Sequence, residues 1–390
     1  MLKRKFLLAT AIVLSTFSFA QKSEDASAEV LAASSNMKGD DEMAPVKSNP
    51  VTVLKDQART GTCWSFSTTS LIESQLLKNK QGMFDISEMF TVRNIYLEKA
   101  RNYILRQGRT QFDEGGLGHD VIRAISTYGA MPESVYSGLK PGETVHDHSV
   151  MVKTMRKYLD SILKSKIRPI PANWREGFVR ILDQHMGAAP ESFVYNGKRY
   201  TPKNFALEVL KFSADDYVYL TSFTHQPYYK PFILEVPDNF SNGAYVNIPL
   251  QEMIDLVKTA INSGYTVMWD ADVSNNGFFN KAGLALHLPE NSNVSMDSVR
   301  ADMAEARWDE RSRQQLFETL VTQDDHLMHI HGLFKTKSGK TFFQVKNSYG
   351  AVGKRDGFIY VSEAYFAMNT ISLVVPKAAL SKSLQEKIKQ

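Results

Sequence analysis

The chain of 390 residues holds a single cysteine, Cys63, so no internal disulfide can form. It also lacks an excess of charge of either sign. There are 46 Lys and Arg against 42 Asp and Glu, and Lys3, Arg4 and Lys5 lie in the first five positions; without those three the balance is 43 to 42. A body that close to neutrality offers no electrostatic basis for binding nucleic acid or an anionic membrane surface. Long apolar runs are missing as well: no stretch approaches 18 uninterrupted apolar residues, and the N-terminal run, for which a retained anchor helix is the alternative to cleavage, is short for a bilayer. Internal repeats are absent, which excludes solenoid architectures.

What is present begins with residues 1–20, MLKRKFLLATAIVLSTFSFA. A basic start, an apolar run over 6–14 and small residues at Ser18 and Ala20 have the form of a secretory signal peptide, with cleavage expected after Ala20. The remaining chain is therefore expected to be exported, to a periplasm or the exterior, and free of the membrane. Export normally permits disulfides, so a lone thiol there is either an accident of packing or retained for its reactivity. Composition leaves both open.

Residues 21–48 are small and polar without apolar periodicity and read as a mobile leader, with order expected from near Val51. Residues 49–135 carry helical spacing over 64–78, 87–106 and 121–128, and form a helical lobe. Residues 136–245 have a different texture, with helical stretches at 150–165 and 204–211 among prolines and aromatics, and read as an insertion. From 246 onward a helix over PLQEMIDLVKTAINSG precedes a strand YTVMWDADV and a polar helix near 299–320. Alternating apolar segments then follow at 327–334, 341–346 and 357–361, the pattern of an antiparallel sheet. Leu380, Leu384 and Ile388 repeat at four-residue spacing, predicting a helix in the tail. The fold class is α+β in two lobes.

Cys63 lies where the Gly-containing loop QARTGT enters the first helix. A thiolate is the attacking form, and unpaired N–H groups at a helix N-terminus favour it, as does a neighbouring imidazolium. The segment DDHLMHIHG supplies His326, His329 and His331. On a strand, alternation sets His326 on one face and the other two on the opposite face. The same alternation splits H-x-x-H-x-H as a metal ligand set, and no carboxylate cluster accompanies it beyond Asp324 and Asp325; neither a metal nor a cofactor is expected. His329 and His331 are expected to pack or hydrogen-bond within the sheet, and Asp270 and Asp272 to be strand-end residues near the cleft.

Together QARTGTCWSF, DHLM and VKNSYG resemble, in order, the three signatures of papain-like cysteine peptidases. FDEGGLGHDVIRAISTYGAMPE, the YTPKNF insertion and WDADV are similar to the bleomycin hydrolase and aminopeptidase C group. The resemblance implies a papain-like two-lobe fold with a mid-chain insertion. It implies Cys63 as nucleophile, His326 as general base and acid, and Asn347 as the residue orienting the imidazole. Gln57 would form the oxyanion hole with the Cys63 N–H, while Gly115, Gly116 and Trp64 would border the substrate. Tyr349 stands in the group's second tryptophan position. Peptides are the implied partners, and a hexamer is the implied assembly. Aminopeptidase action is the first expectation, because in that group the C-terminal carboxylate meets the substrate amine; this tail is shorter, so an uncapped endopeptidase is the alternative. A non-catalytic binding protein is the reading from another class, and loss of Cys63, His326 or Asn347 would have marked it.

Overall fold

Thirteen of the sixteen side chains of helix α1 (Cys63–Lys78) are buried, including its serines and threonines. A helix enclosed on all sides does not need a single apolar stripe. The structure, a computed structural model, describes residues 42–165 and 167–389. On one side α1 meets helices α2 (Glu88–Leu105) and α3 (Gly118–Tyr128), and on the other the strand His326–Thr336. Small residues on α1 allow that close approach. Ser70 Oγ lies 2.9 Å from His329 Nδ1, and Thr68 packs where a Cβ on Gly118 would come within 3.1 Å of its hydroxyl. Ser87 caps α2 by accepting from the Phe90 N–H at 3.0 Å, and Gly129, at φ +85°, ends α3 in a conformation other residues avoid.

The second lobe is an eleven-stranded sheet. Its centre runs in the order Tyr217–Thr221, Thr370–Pro376, Val267–Ala271, His326–Thr336, Thr341–Lys346 and Phe358–Ser362. The expected antiparallel pairing holds through this centre, with His326 opposite Ala271 and Lys346 opposite His329. Two pairs depart from it: Phe358–Ser362 with Leu284–Ala285, and Tyr217–Thr221 with Ala244–Asn247, are parallel. The sheet is therefore mixed rather than purely antiparallel. Helix Leu250–Asn262 covers its far face with Met253, Ile254, Val257 and Ile261.

Three expectations need correction. Residues 43–48 are not part of a loose leader: Met43–Ser48 is a strand paired with His326–Thr336. It extends the sheet past the end of Val267–Ala271 through backbone hydrogen bonds, which demand no apolar periodicity. Residues 136–245 do not stand apart either. Met151, Met155, Leu159 and Phe178 join the core of the helical lobe, while Tyr217–Thr221 and Ala244–Asn247 join the sheet. The polar helix is confined to Glu310–Glu318, capped by Asp309, and residues 299–309 are irregular. The signal-peptide segment 1–20 lies outside the described residues.

Candidate active site

Two backbone links bring the loop before α1 to the turn after Thr341–Lys346. The Gln57 N–H donates to Ser348 O at 2.9 Å, and the Gly350 N–H donates to Lys55 O at 3.1 Å. Lys346, buried, reaches from the sheet to Ser70 Oγ at 2.8 Å and Thr52 Oγ1 at 3.1 Å. The motif carrying Asn347 is thus fastened to the helix that carries Cys63.

Cys63 is the first residue of α1, and its N-cap Thr62 makes no side-chain cap; the Ser65 and Phe66 N–H groups donate to Thr62 O at 2.9 and 3.4 Å. Cys63, His326, Gln57 and Tyr349 border one cavity of about 330 Å³, together with Gly115 and Gly116. Burial is nearly complete: Cys63 as a residue is 7% exposed.

His326 Nε2 lies 2.7 Å from Asn347 Oδ1. That oxygen also accepts the Ser348 N–H at 2.8 Å, so it is the acceptor and Nε2 carries the proton. Nδ1 is left with its lone pair. Tyr349 stacks on the imidazole at 4.8 Å and 18°, and its hydroxyl donates to Nδ1 over 3.4 Å. An aromatic ring in the group's second tryptophan position thus covers the imidazole, with a hydroxyl added.

Gln57 is held at both ends of its amide. Oε1 accepts from Ser348 Oγ at 2.6 Å, and Nε2 donates to Thr60 O at 2.6 Å. Nε2 has a second N–H, which remains for an oxygen in the cavity. Gly116 lies against the Trp64 ring, where a Cβ would sit 3.0 Å from it, and Trp64 Nε1 donates to Glu114 O at 3.0 Å. Trp64 is buried, supports the strip 114–116 and borders the same cavity.

Desolvation dominates the site's titration. Burial, with nearby Asp324, Asp270 and Asp238, pushes the Cys63 thiol up to about 12, while the Leu327 N–H works in the opposite direction. Burial also pushes the His326 imidazole below its ordinary value, opposed by Asn347 and Asp325. A charge on either group alone is therefore disfavoured. A proton passed from sulfur to imidazole leaves the net charge unchanged and creates two opposite charges that attract each other. At the helix end, where a lowered thiol is expected, burial thus outweighs the N-terminal effect.

Through Nδ1, His329 meets Ser70 Oγ of α1 and His331 meets Asn49 O and Ser48 Oγ, while both Nε2 atoms are buried with no partner among the described residues. Asp270 accepts from Ser372 Oγ at 2.9 Å, and Asp272 from the Ser274 and Gln323 N–H groups, as strand-end residues. Among the described residues no group of three His, Cys, Asp or Glu is placed to hold a metal. Residues absent from the sequence reading also build the site. Ser348 fixes Gln57, and Glu114 accepts the Gly61 N–H at 2.7 Å. Lys99 donates to Asp113 O and Gly115 O, and Asp238 borders the cavity. Ser348 lies inside the KNSYG motif and Glu114 inside FDEGG; Lys99 and Asp238 carry no local pattern.

Comparison with known proteins gives consistent matches. The Peptidase C1-like family matches residues 16–390. The chain is similar to Aminopeptidase G of Lactobacillus delbrueckii subsp. lactis, 23% identical across 86% of this chain and 84% of that protein. It is similar to Aminopeptidase C of Listeria monocytogenes, 23% identical across 93% and 89%. Among solved structures, PepW from Lactobacillus rhamnosis superposes with a TM-score of 0.69 at 18% identity, covering 89% of this chain and 84% of that one.

Proposed function

We propose, from the premise that this chain belongs to the Peptidase C1-like family and is a cysteine peptidase, that it acts as an exported aminopeptidase. The single observation that carries the chemistry is the His326 Nε2–Asn347 Oδ1 bond, which leaves Nδ1 unprotonated in the cavity it shares with Cys63, engaged only by the long Tyr349 O–H contact that the thiol proton must displace. Sγ attacks the scissile carbonyl carbon as its proton moves to Nδ1. The developing oxyanion accepts from the Cys63 N–H and the second N–H of Gln57 Nε2. The tetrahedral adduct collapses to a thioester, and the departing amine takes the proton from the imidazolium. Water, deprotonated by His326, then cleaves the thioester and restores the thiol.

Release of N-terminal residues is supported by relatives named Aminopeptidase G and Aminopeptidase C, and export by the sequence of residues 1–20. One observation favours the endopeptidase alternative. The tail helix Lys382–Lys389 docks away from the cavity, with Leu384 buried and Lys387 paired to Glu252 at 3.0 Å. No residue of that helix borders the Cys63 cavity, and Gln390 lies outside the described residues. Digestion of one peptide in free and N-acetylated form, resolved by mass spectrometry, separates the two activities. Sequential loss of N-terminal residues from the free form supports the aminopeptidase, whereas internal cleavage of both forms at equal rates would overturn it. Gln57→Ala is expected to lower kcat on order of 10²–10³-fold with a smaller change in KM, as measured by naphthylamide hydrolysis.

A further inference from the structure

The aminopeptidase reading leaves open what in this chain recognises a free amine. The strip Glu114–Gly116 runs beside Cys63, and the loop between Pro231–Ile233 and Ala244–Asn247 closes over it. The point of closure is specific. A Cβ built on Gly115 would overlap the Asp238 carboxylate, so the acid lies directly against the strip. Asp238 and Cys63 border the same cavity. A peptide extended along Gly115–Gly116 with a carbonyl at the sulfur therefore meets Asp238 as an obstacle, and the obstacle is a carboxylate.

That carboxylate is held in place. Asn239, the next residue, donates to Leu234 O at 2.8 Å and Gly243 O at 2.9 Å and accepts the Gly243 N–H at 2.7 Å. Ser241 donates to Asp120 Oδ1 at 2.8 Å, and Phe240 is buried. The loop is thus anchored immediately on the C-terminal side of Asp238. The carboxylate itself has spare capacity. Oδ1 accepts from Gln111 Nε2 at 3.2 Å, and Oδ2, the atom nearest Gly115, accepts no hydrogen bond among the described residues. The neighbouring cation, Lys99, directs its ammonium to the carbonyls of Asp113 and Gly115 and also favours the ionised form of Asp238, against the burial that pushes this carboxyl upward. Within the cavity lining, Asp113, Glu114 and Asp325 add further negative charge, and no Lys or Arg borders it.

We propose that Asp238 is the specificity-determining residue of this peptidase: its Oδ2 accepts the α-ammonium of the substrate, and its bulk closes the strip to chains that continue beyond it. The proposal rests on the aminopeptidase reading and draws the carboxylate from an internal loop. An N-acetylated chain loses both the charge pair and the room. Peptides with a free N-terminus are the substrate class, and side-chain identity is set elsewhere.

The test uses the mature protein with one peptide in free and N-acetylated forms, comparing wild type, Asp238→Asn and Asp238→Ala. Wild type should prefer the free form by about 10²-fold in kcat/KM. Asp238→Asn keeps the volume and removes the charge; the preference should fall at least tenfold, mainly through KM for the free peptide. Asp238→Ala should in addition raise the rate on the acetylated form, because the strip is open. Melting temperature and the alkylation rate of Cys63 in each variant report whether the fold and the thiol are intact. If both variants keep the wild-type preference, Asp238 is not the acceptor, although the aminopeptidase reading survives. A wild type that cleaves both forms equally would sink that reading and the proposal together.

Discussion

Replacing Cys63 by alanine is expected to lower kcat/KM for a free-amine peptide by on the order of 10⁴–10⁶-fold, with folding almost unaffected. The two halves of that expectation rest on different facts. Chemically, the chain has no second thiol to take over, and the alanine methyl cannot form a thioester. Structurally, the sulfur belongs to a large helical-lobe core, but it is one atom at the margin of that core and partly faces the cavity. Losing it removes a few contacts, about 1 kcal/mol, which in a protein of this size moves Tm by no more than a few degrees. Thermal melting together with hydrolysis checks both. A large fall in Tm would make the cysteine a packing residue, and retained hydrolysis would remove it from the chemistry.

His326→Ala carries the second large effect, of the same order as the first, because the two residues act as one unit. The double variant should be little worse than either alone. The pH profile adds a test that loss of a merely structural residue would not meet. Burial holds the imidazole below its ordinary value, so the acid limb of kcat/KM should fall below the ordinary histidine range: activity is retained at mildly acidic pH and lost as pH drops through that lowered value. Burial and nearby carboxylates hold the thiol high, so no loss from thiol ionisation is expected in the neutral range. The profile is a plateau with its acid edge displaced downward. An acid edge above the ordinary histidine value would contradict the desolvated pair.

The site was legible in the sequence to the extent that its residues sit at boundaries with local signatures. Cys63 falls where a Gly-containing loop meets uninterrupted helical spacing, and α1 does begin there. Asn347 follows an apolar strand directly, and the strand does end at Lys346. The antiparallel centre of the sheet was legible for the same reason, since alternation is a local property. What escaped was whatever depends on distant pairing. Met43–Ser48 has no apolar pattern because its contribution is backbone hydrogen bonding to Gly332–Thr336. Tyr217–Thr221 reads as part of an insertion but continues the main sheet beside Thr370–Pro376. Asp238 sits in a proline-flanked loop like many others, and only folding brings it against Gly115. The titration also ran against the local expectation. A helix N-terminus alone argues for a lowered thiol, whereas enclosure between the lobes, invisible in sequence, raises it.

Because Cys63 is the only thiol, its reactivity can be followed without ambiguity, and alkylation by iodoacetamide is the most direct measurement of whether His326 activates it. In the wild type, incorporation of one carbamidomethyl group and loss of hydrolysis should proceed at the same rate near neutral pH. In His326→Ala the incorporation should slow by about 10²-fold at that pH, because burial then holds the thiol protonated with no base beside it. Equal alkylation rates in the two proteins, or hydrolysis that persists after labelling is complete, would contradict a peptidase built on this pair.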